Sequence, residues 1–423
     1  MFSKLSAVAI RAVTLLLSVL SVTIIAPFLG ITDLGRFALI QSIVMWTSLF
    51  GLGLIETCTG IINKFDQRKF LRGSKTYLDT SFLVVTAASA IVSVPLLVLA
   101  LPWSWHSAAT AELRPFATGI GLSLAAVPFS LTQGLLNARG EITRSMAWAF
   151  FTSALTVGSM LVVVRLVQVE QHQRLFAITL AYGLAMLLAR ASMHTLESYR
   201  AFGTITVRAK PSLRRLRLLS RSAYPFLLLN TAALAAFQID RVVSFYFLSP
   251  EDTAKLDVAM KVIMAVYTLN TVFIAKLWHT VGNAWNVHDK GGARAVLKQS
   301  MLSTAAFWTV MGTAIIFTID PIVYKLTGGA VELSDPYFIV AAVAFMAVRA
   351  LVDSVTISIF ATRNQHRTVG AVLTHGVLNV PLSIMGCILA GLPGIMIAQL
   401  LSLAITTGWR FPIIFRQLSR EKM

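Results

Sequence analysis

Long apolar segments decide what this chain can fold into. Twelve stretches come close to the roughly 20 residues that a helix needs to cross about 30 Å of hydrocarbon. Hydrophobic residues make up 56% of the 423 residues and charged residues only 13%, a balance that soluble domains do not have. The sequence therefore predicts an all-α integral membrane protein with about 12 transmembrane helices. The predicted spans lie near residues 8–29, 36–62, 80–102, 115–137, 146–167, 175–195, 222–247, 254–278, 300–325, 336–360, 366–390 and 393–415.

The basic residues predict which side of the membrane each connection occupies. Lys and Arg are retained in cytoplasmic connections, and alternate connections of this chain are rich in them, with both termini on the rich side. We therefore expect cytoplasmic N- and C-termini. The same bias accounts for the net charge of +18 through loops that fix topology and touch anionic membrane lipids, so no nucleic-acid partner is predicted.

One long cytoplasmic connection divides the chain. It predicts an N-terminal six-helix lobe over 1–200, a basic linker over 201–221 and a C-terminal six-helix lobe over 222–423. In the linker, leucines at three-residue spacing alternate with arginines, which predicts an amphipathic helix on the inner leaflet. A solvated loop that only sets topology is the alternative.

Two pairs of short segments suggest that the lobes are repeats. Residues 28–37 match residues 247–256 without a gap, and each segment joins the first two spans of its half. Arg114-Pro115-Phe116 and Asp335-Pro336-Tyr337 each open the fourth span of their half. Since each half holds an even number of spans, the repeats would be parallel, and sites in such folds lie between them.

Several charged residues interrupt the apolar spans. An ionised side chain in hydrocarbon is costly, so such residues usually face a water-filled path or a partner charge. Asp257 and Lys261, like Arg349 and Asp353, are four residues apart and share a helix face, so each set is either part of a transport path or a structural pair. Arg11 lies near the inner end of the first span and Arg241 near the outer end of the seventh, where snorkelling to the headgroups is the alternative to contact with the substrate.

Several runs of residues resemble the Wzx-type polysaccharide flippases, which belong to the superfamily of MATE exporters and lipid-linked oligosaccharide flippases. They are Pro27-Phe28-Leu29-Gly30, Gly35-Arg36-Phe37-Ala38-Leu39, Gly51-Leu52-Gly53, and Asp240 followed by Leu256-Asp257-Val258-Ala259-Met260-Lys261. The resemblance implies two pseudo-repeated six-helix lobes around a central cavity in the bacterial plasma (inner) membrane. It implies movement of an undecaprenyl-diphosphate-linked oligosaccharide to the outer leaflet by alternating access, for exopolysaccharide, O-antigen (lipopolysaccharide) or capsule biosynthesis. Other polysaccharide-assembly membrane proteins would be partners.

The sequence departs from that family in two places. Ser249-Pro250-Glu251 stands where Gly-Pro is common, and Asp257 stands where an aromatic residue is usual. These departures bear on the identity of the substrate more than on the fold.

The interior charges suit an anionic substrate, because Arg and Lys replace the hydration of a diphosphate with charge-assisted hydrogen bonds. The candidates for the substrate path are Arg11, Asn230, Gln238, Arg241, Lys261 and Arg349. The candidates for binding a coupling ion are Asp240, Asp257, Asp353 and His375, although a histidine in a helix contact is the plainer interpretation of the last.

The alternative function is a MATE-type exporter that trades small cationic compounds for protons or sodium. Such a site should favour carboxylates or an aromatic cage, whereas this interior carries at least as many cations as anions. No phosphate-binding Gly-rich loop, metal-spaced cluster or Cys/His constellation occurs, so neither an enzyme nor a cofactor or metal is predicted. The membrane-bound glycan polymerases and ligases generally have one large outer loop, and every outer connection here is short.

Overall fold

The computed structural model describes residues 2–67, 71–101, 112–168, 170–204, 213–362 and 364–420. This part of the chain contains helices and no strand, so the all-α prediction is confirmed. Its α-helices are α1 (Phe2–Trp46), α2 (Leu54–Gln67), α3 (Leu71–Leu99), α4 (Arg114–Ala126), α5 (Leu131–Ala138), α6 (Ile142–Leu166), α7 (Arg174–Phe202), α8 (Leu213–Phe237), α9 (Ile239–Phe247), α10 (Pro250–Asn286), α11 (Lys290–Leu326), α12 (Pro336–Ala361), α13 (Val369–Leu403) and α14 (Trp409–Arg420).

Eight helices of the described chain are long and apolar enough to cross a membrane, or up to nine if the bent pair formed by α8 and α9 is one span. Two of the eight are interrupted. The backbone leaves helical geometry at Gly30, with φ 74°, and at Ala390 and Gly391, where the glycine has φ 62°. The first interrupted stretch, Leu16–Gly51, includes parts of two predicted spans, and the second, His366–Arg420, covers two. Together with the 37-residue α10, this accommodates about 12 transmembrane helices.

Polar side chains fix where three helices of the C-terminal half begin. The Ser249 hydroxyl accepts a hydrogen bond from the Asp252 amide at 3.0 Å, and the Asp289 carboxylate accepts one from the Gly292 amide at 2.7 Å. Asp335 caps α12 through the Tyr337 amide at 2.9 Å. Such N-caps satisfy amide groups that have no partner in the first helical turn.

The segments matched as repeats both contain a break between helices. In the first segment the break is Gly30. In the second, α9 ends at Phe247 and α10 begins at Pro250. The other matched segments begin α4 and α12, as expected.

The chain separates into two compact units. The first unit is Met1–Asp33 with Phe37–Asn230. Its apolar core includes Cys58, Leu78 and Leu131, all 2% exposed or less. These residues come from α2, α3 and α5, so the short helices pack as an integral part of this unit.

The second unit is Leu34–Arg36 with Thr231–Met423. Within it, a Cβ added at Gly35 would lie 1.7 Å from the Pro250 carbonyl oxygen. Only glycine permits this approach between backbones.

The predicted linker lies partly outside the described residues, at 205–212. Residues from Leu213 onward form the first turns of α8 and continue without interruption into the apolar part of that helix. The predicted lobe and linker limits stay predictions.

Candidate functional site

The second unit contains a charged triad in which one carboxylate holds two cations. Asp257 on α10 accepts a hydrogen bond from Arg241 Nε on α9 at 2.7 Å, and its other oxygen lies 2.7 Å from Lys261 Nζ. Gln238 accepts a second hydrogen bond from Arg241, at 3.0 Å. The Asp257 side chain is 3% exposed, whereas Arg241 and Lys261 are 19% and 15% exposed. The triad therefore carries a net positive charge, and its two cations, Arg241 and Lys261, are more accessible than its carboxylate.

A bend between α8 and α9 brings Arg241 to this position. The two helices meet at Gln238 with an angle of 44°. Carbonyl groups near such a bend lose helical partners, and in a membrane other groups must satisfy them. The Asn379 amide donates to the carbonyls of Ala235 and Ala236 at 3.3 and 3.1 Å, and Gln399 donates to that of Ala236 at 2.9 Å.

One of these amides, that of Gln399, also contacts the next carboxylate, Asp240. Gln399 Nε2 donates to Asp240 Oδ2 at 2.6 Å, and the Ser383 hydroxyl donates to Oδ1 at 3.3 Å. The amide oxygens of Asn379 and Gln399 are buried and accept no hydrogen bond from any described residue. Asp240 is thus held by uncharged donors of α13.

Arg349 and Asp353 on α12 form a third group with aromatic neighbours. The Arg349 guanidinium lies 3.8 Å from the centre of the Phe237 ring and 5.7 Å from that of Tyr267. Its Nε is 3.6 Å from Asp353 Oδ2, and the Tyr267 hydroxyl donates to the same oxygen at 2.5 Å. The predicted pair exists, and Tyr267 extends it to α10.

His375 on α13 is 3% exposed. Its Nδ1 shares a hydrogen bond with the Ser402 hydroxyl at 2.9 Å. Its Nε2 is buried and has no hydrogen-bond partner in the described chain. The imidazole is therefore held on one side only.

No described contact links two further candidates to these groups. Asn230 belongs to the first unit, where its amide donates to Glu56 Oε1 on α2 at 3.2 Å. The side chain of Arg11 lies outside the described residues. The 44° bend at Gln238 lies between Asn230 on α8 and Arg241 on α9.

Sequence analysis missed several members of these groups. Glu56, Tyr267, Ser383 and Gln399 all contact a predicted site residue. A search of the apolar spans for every polar side chain, and not only for charges beside other charges, would have found them. Nothing in the sequence pairs them with their partners on other helices. In the described part of the chain, no cluster of three or more His, Cys, Asp or Glu side chains is arranged to hold a metal ion.

No protein-family model matches this sequence, and no curated protein matches it. Solved structures do match over almost the whole chain. An inward-facing multidrug resistance MATE transporter of the MOP superfamily has a TM-score of 0.75 at 13% identity, covering 97% of this chain and 96% of that one.

The lipid II flippase MurJ in an inward closed conformation has a TM-score of 0.73 at 14% identity, covering 96% of this chain and 87% of that one. A MATE protein in complex with MaL6 has a TM-score of 0.60 at 13% identity, covering 98% and 97%. The chain therefore has the two-lobed fold that MATE transporters and MurJ share.

Proposed function

We propose that this protein is a flippase that moves an undecaprenyl-diphosphate-linked oligosaccharide from the inner to the outer leaflet by alternating access, in surface polysaccharide biosynthesis. The observation that carries the proposal is the triad of Arg241, Asp257 and Lys261, in which two accessible cations share one buried carboxylate. The fold it shares with a lipid II flippase supports the same class of transporter.

The triad suits a diphosphate for electrostatic reasons. Asp257 supplies one negative charge to two cations, so the triad carries a net positive charge that would attract a diphosphate. Arg241 uses two of its five N–H donors in the contacts with Asp257 and Gln238, and a guanidinium binds phosphate oxygens in a forked geometry. Arg349, stacked on Phe237, is a second cation of the proposed path.

The remaining candidates extend this path. Gln238 orients Arg241, and Asn230 keeps its proposed role as a polar residue of the substrate path. Arg11 keeps its proposed role as a cation near the inner end of the first span.

Asp240 is the best-placed residue to bind a coupling cation. Its carboxylate accepts hydrogen bonds from the uncharged donors Gln399 and Ser383, whereas Arg or Lys contacts the carboxylates of Asp257 and Asp353. A carboxylate oxygen is a ligand that suits hard cations. Asp353, beside the Tyr267 hydroxyl, and His375 are further candidates. Asp257 is the least suited, because two cations already neutralise it.

The proposal includes a location and partners. Cytoplasmic termini in a bacterial plasma membrane would place the basic ends of α8, α11 and α14 at the cytoplasmic face. The substrate would come from membrane glycan synthesis, and other polysaccharide-assembly proteins would receive it.

One observation favours the MATE-type exporter as a second candidate. The Asp353 carboxylate lies beside the aromatic rings of Tyr267 and Phe237, a combination that also suits an organic cation. In this protein Arg349 occupies the position over the Phe237 ring, which disfavours a second cation there.

A substitution within α10 tests the flippase proposal. Lys261→Met removes a cation of the triad, and Lys255→Met removes one from the exposed pair with Asp252 on the same helix. We expect the first to leave lipid-linked oligosaccharide on the inner leaflet and to reduce surface glycan per folded protein, while the control keeps wild-type export. Normal surface glycan in a deletion strain, together with altered resistance to cationic drugs, would refute the flippase and favour the exporter.

A further inference from the structure

The second unit contains a groove between α11, α12 and α14, distinct from the charged groups above. Its volume is about 490 Å³. Its polar end is lined by Arg294 and Lys298 of α11 and by Arg416 and Arg420 of α14, and no acidic side chain of the described chain lines it. The groove is therefore strongly positive at one end.

The basic residues are arranged as two pairs with four-residue spacing. Arg294 with Lys298, and Arg416 with Arg420, each place two like charges on one helix face, an arrangement that destabilises a helix. Arg294 is also fixed in place, because its Nε donates to the Ser419 hydroxyl of α14 at 2.7 Å. Four cations held around one groove favour an anion that offsets their repulsion.

The rest of the groove is apolar. Its walls include Leu302 and Ala305 of α11, Leu351 and Val355 of α12, and Phe415 of α14. Ala305 lies 11 residues along α11 from Arg294, about 16 Å at 1.5 Å per residue. The lining thus changes from basic at the helix ends to apolar toward the middle of the helices.

We propose that this groove binds one anionic phospholipid of the leaflet in which these helix ends lie, with its phosphate among the four cations and an acyl chain against the apolar walls. Basic pockets between transmembrane helices at the membrane surface recognise such headgroups. A free phosphate would use only the basic end, and an acidic peptide would leave the apolar walls in contact with lipid. The lipid joins the start of α11 to α14 and would stabilise the contact that the Arg294–Ser419 hydrogen bond begins.

Native mass spectrometry of the purified full chain, titrated with phosphatidylglycerol or phosphatidylcholine, tests the proposal. The double variant Arg416→Gln with Arg420→Gln should weaken the binding of one phosphatidylglycerol by about 30-fold, the factor expected when two juxtamembrane cations are lost. The control is Arg165→Gln with Lys325→Gln, which removes two exposed cations from the last turns of α6 and α11, outside the groove lining, and should keep wild-type affinity.

A second variant separates the lipid from other anions and covers the case in which the first fails to fold. Ala305→Trp fills the apolar part without changing charge, and it should also weaken phosphatidylglycerol binding. Equal affinity of the wild type for phosphatidylcholine, an unchanged affinity in either groove variant, or displacement of the lipid by equimolar inorganic phosphate would each overturn the proposal. Retention of an acidic peptide in place of the lipid would do the same.

Discussion

Removing the shared carboxylate of the triad should cost more stability than removing one of its cations. In Asp257→Ala, Arg241 and Lys261 lose their common partner and face each other as like charges. Breaking a buried pair in this way costs about 3–5 kcal/mol. In Lys261→Met, Arg241 still donates to Asp257 at 2.7 Å, so the loss is limited to one charge-assisted contact, about 1.5–3 kcal/mol.

The double variant Asp257→Ala with Lys261→Met then distinguishes pairing from additive damage. It leaves Arg241 alone beside Gln238, without a second cation to repel. We expect it to be more stable than Asp257→Ala alone, in spite of carrying an extra substitution.

The first assay is thermal unfolding of the purified proteins in one detergent, measured as the fraction of protein that stays monodisperse. The second is the abundance of folded protein in membranes. The order should be wild type, Lys261→Met, the double variant and Asp257→Ala. If Lys261→Met is as unstable as Asp257→Ala, Arg241 does not substitute for the lysine and the triad is not a shared pair. If all of them are as stable as the wild type, the charges are solvated and the magnitudes above do not apply.

Three further predictions concern packing, the bend and topology. Gly35→Ala should abolish most folded protein, since its Cβ would meet a backbone carbonyl oxygen at 1.7 Å. Gly60→Ala has open space around the added Cβ and should fold as well as the wild type or better. Abundant folded Gly35→Ala would contradict the contact. Gln399→Leu should destabilise by about 1–3 kcal/mol, because the Ala236 carbonyl and the Asp240 carboxylate each lose one of their donors in the interior. Unchanged thermal unfolding would show that another group replaces it. Cysteine at Lys290 should resist an impermeant thiol reagent in intact cells while cysteine at Asp252 reacts, and the reverse pattern would invert the proposed orientation.

The helical content could be predicted because it depends on local properties. Only helices and closed β-barrels satisfy their backbone hydrogen bonds inside a membrane. Apolar runs of about 20 residues without the alternation of strands therefore indicate helices. Asp335-Pro336 marked the start of α12 because an aspartate cap followed by proline suits a first helical turn. The pairs Asp257–Lys261 and Arg349–Asp353 followed from the helical repeat alone, and both are present.

The contacts between helices could not be predicted in this way. Nothing local indicates that Arg241 would share Asp257, or that Gln399 would reach Asp240 across 159 positions of sequence. The bend at Gln238 was also missed, because the segment carries no proline or glycine at that point and its apolar pattern continues through it. The carbonyls exposed there are satisfied by Asn379 and Gln399, residues that the segment itself does not contain.

The bend is therefore stabilised by side chains of a different helix, α13. A continuous helix keeps its direction through its own backbone hydrogen bonds, whatever its neighbours do. The direction of α9 relative to α8 instead depends on two amide side chains of α13, so displacement of α13 along its axis would release carbonyls of α8 and the Asp240 carboxylate in a single step. Movement of α13 would therefore change the direction in which Arg241 points, which would couple the triad to the contacts of Asp240.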